Sequence, residues 1–264
     1  MTKTAGFALT ALAMLVLAGC SGAPAASESE TPDAAPTASA SPTASATPTP
    51  EPAGWTAPEE CTGIDVSPGA AVAGEALGAC MQKALSSYGT GRETISGEEL
   101  GGEIEFRYAP DFEFQGSLET GDGPIEITFL DGTVWIDSGE GPVKGDTASS
   151  DPEEQMAGVA GELYRVFSDP SFAGDLIAAS PTWTVASAQE SITLANGDTV
   201  AATRITSDAP FDWYDLPVQQ YVVWLAEDWT PVGSEGTASF FGSSSTITQH
   251  YYDLGEPVEI TPVG

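Results

Sequence analysis

GGEIEFRYAPDFEFQGSLE (residues 101–119) decides the fold. In its first half Ile104, Phe106 and Tyr108 alternate with Glu103, Glu105 and Arg107. In its second half Phe112 and Phe114 alternate with Asp111, Glu113 and Gln115. Successive side chains of a strand point to opposite faces, so this period of two predicts two half-buried strands. Pro110-Asp111 between them is a turn pair. The pattern continues outward in PIEITFL (124–130) and TVWID (133–137), joined by Asp131-Gly132, a strong two-residue hairpin signal. Further strand patterns lie at 181–194, 198–207, 219–228, 237–242, 245–254 and 257–263, with Asn196-Gly197 as a second hairpin turn.

Two stretches follow a helical period instead. In PGAAVAGEALGACMQKALSSYG (68–89), Val72, Ala76, Ala79 or Cys80, Lys83 or Ala84, and Tyr88 recur at three- and four-residue spacings, with Ser67-Pro68 as start and Gly89 as stop. In the segment 149–180, Ser150 or Asp151 is the expected cap, followed by Pro152 and Glu153-Glu154 at the positive end of the helix dipole. Met156, Val159, Leu163 and Phe167 fall on one face of that helix, and a second helical piece runs over 172–179. The order is helix, meander, helical insert, meander. It predicts an α+β domain, a curved antiparallel sheet with helices against one face.

The N-terminus reads differently. Lys3 precedes the apolar run 6–19, which is too short to span a bilayer comfortably, since about 20 residues are needed. Leu17-Ala18-Gly19-Cys20 looks like the lipobox of a bacterial lipoprotein, with Cys20 as the acylated residue. The expected organisation is a signal peptide at 1–19, an acylated cysteine and disordered tether at 20–58, and one folded domain at 59–264. Residues 21–58 are dominated by Ala, Ser, Thr and Pro, and their eight prolines block helix and interior strand. As a coil such a tether averages roughly 35 Å end to end.

Removing residues 1–19 leaves six basic against 39 acidic residues, a formal charge of −33. That charge repels nucleic acid and anionic headgroups, so membrane attachment is expected through the diacylglyceryl group on Cys20. Cys61 and Cys80 are the remaining cysteines, in an extracytoplasmic setting where a disulfide persists. Zinc is the rival use, but a single distant His250 makes a poor site. With one histidine and no G-x-S-x-G, Walker, H-E-x-x-H or calcium-loop spacing, we expect no enzyme, no catalytic residue, no cofactor and no metal.

The lipobox, TVWIDSG with GPVKGDTASSDPEE after it, QQYVVWLAEDWTPVG and the closing HYYDLGEPVEITPVG together resemble the LppX/LprG-type lipoproteins of actinobacteria, over roughly residues 77–263. That resemblance implies a half-barrel related to periplasmic lipoprotein carriers, with helices on its concave face. It also implies an acylated lipid or glycolipid held in an apolar space between them, for transport across the envelope. Met156, Val159, Leu163 and Phe167 on the helix would then face Phe106, Phe112, Phe114, Ile125, Ile127 and Trp135 on the sheet. Lys144 and Arg165 are the basic candidates for an anionic headgroup at the mouth. The alternative is a surface interaction or accessory protein with a filled core, meeting an envelope protein through Trp213, Tyr214, Trp224 or Trp229.

Overall fold

The computed structural model describes residues 55–240 and 243–262. The signal peptide, Cys20 and most of the tether therefore lie outside the described residues. Among the described residues no helix is long and apolar enough to cross a membrane.

Among the described residues the architecture is α+β, an open antiparallel sheet of 13 strands with three α-helices. Strand β1 (Ala71–Ala73) leads into α1 (Gly74–Tyr88). A first meander follows: β2 (Thr90–Gly97), β3 (Leu100–Arg107), β4 (Glu113–Thr120), β5 (Gly123–Leu130), β6 (Thr133–Asp137) and β7 (Val143–Lys144). Helices α2 (Pro152–Ser168) and α3 (Pro170–Ala179) form the insert. A second meander closes the chain: β8 (Thr182–Thr193), β9 (Thr199–Ser207), β10 (Phe211–Trp213), β11 (Leu216–Leu225), β12 (Pro231–Phe240) and β13 (Ser243–Tyr252). The two meanders become one sheet where β13 pairs with β2, from Ile247↔Gly97 to Tyr252↔Arg92.

Local signals explain most boundaries. Asp131 and Gly132 take positive φ of 51° and 72°, the geometry of the two-residue hairpin between β5 and β6. Asp151 caps α2 by accepting from the Glu153 backbone N–H at 2.9 Å, with Pro152 in the first turn. Asp169 caps α3 through Ser171 in the same way. Gly89 ends α1 at φ 78°, while the helix begins at Gly74, later than Ser67-Pro68 suggests, because residues 71–73 pair with β8.

Helices α1 and α3 pack with almost no space between their backbones. A Cβ at Gly78 would lie 2.4 Å from the Gly174 carbonyl oxygen, so only glycine permits this approach. The Cys61–Cys80 disulfide ties the turn at Glu59–Cys61 to α1, with both cysteines fully buried. Trp55 stacks on Tyr88 at 4.8 Å between ring centroids.

Beneath α1 and α3 lies one apolar cluster built on Leu77, Met81, Ile177, Trp183, Ile205 and Val223. A second, on the first meander, contains Ile95, Ile104, Phe106, Phe114, Leu118 and Ile127. A third lies on the opposite face of the second meander, where Val200, Ala202, Val222, Trp224 and Tyr252 pack together. It arises because β9 buries Val200 and Ala202 at one end but Ile205 and Ser207 at the other, a change of parity that flips its buried face. The register shift between Val185 and Gln189 of β8 accompanies that change. The far end of the β8–β9 hairpin packs against that opposite face, where Trp224 Nε1 donates to Glu190 at 3.0 Å.

Candidate functional site

The region between the first meander and α2 holds most of the expected binding residues. Phe106, Phe114 and Ile127 are buried on the helix-bearing face, while Phe112 and Ile125 are half-buried beside them. The rings form a continuous row. Phe106 stacks on Tyr108 at 4.7 Å, Tyr108 on Phe112 at 6.0 Å, and Phe114 on Phe129 at 5.8 Å. Phe129 completes this row and was not singled out from the sequence, although its alternation with Thr128 places it there. Arg165 of α2 roofs the row, its guanidinium 5.1 Å from the Phe129 centroid and 5.8 Å from that of Phe112. Its charge is already matched by Asp169 at 3.1 Å and Glu162 at 3.4 Å. Lys144 is exposed at the edge strand β7.

Two expectations are corrected here. Met156, Val159 and Leu163 do not face the sheet: they are 69%, 56% and 55% exposed. Helix α2 instead seats Ala157, Gly158 and Gly161 inward. A Cβ at Gly161 would lie 2.5 Å from Val134, and one at Gly158 would lie 2.6 Å from the Thr147 amide nitrogen. The close approach of backbones selects the small-residue face and turns the bulky one outward. Of the stripe, Phe167 alone packs half-buried on the aromatic cluster, beside Tyr164. Trp135 is also misplaced. It pairs with Thr128, in the row Arg92–Glu105–Gln115–Thr128 on the other face of the sheet.

The sequence reading missed a buried polar cluster at the inner end of the aromatic row. Glu93 of β2 is 0% exposed. One carboxyl oxygen lies 2.6 Å from Ser168 Oγ at the end of α2, and the other accepts from Gln249 Nε2 at 3.1 Å. Gln249 also donates to the Phe167 carbonyl at 3.0 Å, so both contacts hold the corner between α2 and α3 onto the sheet. Burial pushes the Glu93 carboxyl up to about 8, against the smaller stabilisation from Ser168 and Gln249. It is a neutral acid at pH 7. Tyr108 and Tyr251 are raised well above the usual phenol range, by burial first and then by Glu93. The Tyr108 hydroxyl is buried with no hydrogen-bond partner among the described residues. The signal was present in TGRETISG, where Gly91, Glu93 and Ile95 share one parity and point Glu93 inward.

The aromatic residues of the alternative reading are scattered. Trp224 is buried, Trp213 and Trp229 pack half-buried on the first cluster, and Tyr214 is 74% exposed. Among the described residues, no group of three or more His, Cys, Asp or Glu is placed to hold a metal ion.

No family model matches the chain, and no curated protein matches it. Among solved structures the chain is similar to LprF from Mycobacterium bovis, at 11% identity and a TM-score of 0.43, covering 72% of this chain and 97% of that one.

Proposed function

We propose that this chain is a lipid-anchored, non-catalytic protein of the extracytoplasmic membrane face that binds the acyl part of a lipid or glycolipid. The acyl chain lies against the aromatic row, and α2 is the cover. One observation carries this reading: α2 rests on the sheet through small residues while presenting Met156, Val159 and Leu163 to water. A helix that is apolar outside as well as inside has a second use for that surface, and contiguous exposed apolar side chains mark interaction sites. Rotating or lifting α2 would bring the stripe towards the acyl chain and expose Phe112, Phe129 and Phe167 to it. Arg165 at the rim, its charge already met by Glu162 and Asp169, suits a polar headgroup without net negative charge. Cys20 acylation would keep the domain within reach of its donor membrane.

Titration of the full chain with a dansylated fatty acid tests the reading. Saturable enhancement that is lost on Phe112→Asp, with no loss in Tyr214→Asp, is expected. Enhancement indifferent to Phe112 would remove the site. The 0–1% exposure of Phe106, Phe114 and Ile127 favours a second reading, a surface interaction protein with a filled core. Absence of any probe uptake, with the fold intact, selects it.

A further inference from the structure

The sheet face that carries no helix bears a groove of about 400 Å³, roofed at one side by Thr261 and Pro262 of the C-terminal segment. Its floor is a registered cross-strand row: Tyr252, Arg92, Glu105, Gln115 and Thr128 on β13, β2, β3, β4 and β5. The C-terminal segment is fixed over this row by Gln115, which donates to the Glu259 carbonyl at 2.9 Å and accepts from Thr261 N–H at 3.0 Å. The groove therefore has a built wall. Glu105 neighbours Phe106 in β3 and points to the opposite face, and Arg92 pairs with Glu105, so the groove is separate from the aromatic row and independent of the lipid reading.

Its unused hydrogen-bonding groups are mixed in sign. Arg92 donates through Nε to Glu105 at 2.8 Å and through Nη1 to Asp253 at 3.1 Å, and retains Nη2. Glu103 accepts from the Tyr252 hydroxyl at 3.2 Å through one oxygen and retains the other. Thr128 lines the floor, and its hydroxyl, which makes no side-chain hydrogen bond among the described residues, is not one of the enclosed unpaired polar atoms. That hydroxyl meets the groove, so it can both donate to and accept from an occupant.

The ligand class follows by elimination. An anion meets Glu103, Glu105 and Glu126 together. A cation meets the Arg92 guanidinium in the floor. An apolar ligand leaves all three free groups unsatisfied. A hydroxyl donates to a carboxylate and accepts from a guanidinium, so adjacent hydroxyls satisfy Glu103, Arg92 and Thr128 at once. We propose that this groove binds a neutral, hydroxyl-rich ligand, a glycan unit of one or two sugars. Its volume lies within the usual range for small-ligand sites, about 300–1,000 Å³.

The test is saturation-transfer NMR on the full chain in a sugar-free zwitterionic detergent, with trehalose, maltose and cellobiose at millimolar concentration. Saturable transfer from at least one sugar is expected. Thr128→Val should weaken it about five- to tenfold, from one lost hydrogen bond, without lowering the Tm. Glu103→Gln, a surface change, should weaken it as well. Methyl and octyl glucoside separate two sources of the same chemistry. Equal transfer marks the sugar alone as ligand, and stronger transfer from the octyl form marks a glycolipid headgroup. No transfer from any of the three sugars, or transfer unchanged in both variants, overturns the proposal.

Discussion

Replacing Glu93 by Gln isolates the electrostatic cost at the α2–α3 corner. The amide is nearly isosteric. Its NH₂ can donate to Ser168 Oγ and its oxygen can accept from Gln249, so the hydrogen bonds of the neutral acid survive. What disappears is the titration. In the folded chain the carboxyl is raised to about 8 from its ordinary 4.5, so the folded state holds a proton that the unfolded state releases between those values. Stability contributed by the protonated form is complete below about pH 4.5 and is lost progressively as pH rises to about 8, at up to about 1.4 kcal/mol per unit. The total is a few kcal/mol, a large share of a typical domain's stability of about 5–15 kcal/mol. Urea unfolding of both proteins at about pH 5, 7 and 9 measures the difference directly, since the other carboxylates titrate alike in each. Near pH 5 the two should be within about 1 kcal/mol of each other, and by pH 9 Glu93→Gln should be the more stable by a few kcal/mol. Parallel curves over the whole range would show that Glu93 is not a buried neutral acid.

The paired substitutions Gly161→Leu and Leu163→Glu test the orientation of α2. The first has no room against Val134 and should cost about 1–3 kcal/mol or displace the helix. The second, on an exposed face, should change stability by less than about 0.5 kcal/mol. Reducing the Cys61–Cys80 disulfide, or replacing both cysteines by serine, should lower stability by about 3 kcal/mol, read as a fall in Tm. Cys20→Ala should move the protein from the detergent phase to the medium or leave an uncleaved precursor. Partitioning like that of the wild type would end the lipobox reading.

Strand alternation, the Asp131-Gly132 turn, a cap at Ser150 or Asp151 and the even pair Cys61 and Cys80 are features of the sequence itself, and each led to the observed element. The pairing of β13 with β2 joins residues some 150 positions apart, and no local pattern records it. The side of α2 that faces inward was misread because bulky apolar residues at helical spacing usually mark the buried face. Here Gly158 and Gly161 permit an approach that excludes them. Trp135 was misread by counting its hydrophobicity over its parity, which it shares with Thr133 and Asp137. Glu93 was missed for the reverse reason, since its charge outweighed a parity that pointed inward. The groove under the C-terminal segment depends on where residues 259–262 cross the sheet, a contact absent from any local pattern.

Native mass spectrometry of the full chain, extracted from its own envelope in mild detergent, tests the central claim most directly. The expected spectrum shows the acylated chain plus a non-covalent lipid that dissociates when the protein is unfolded, and Phe112→Asp should abolish that added mass. A spectrum of the acylated chain alone, from a preparation that also takes up no dansylated fatty acid, would contradict the account.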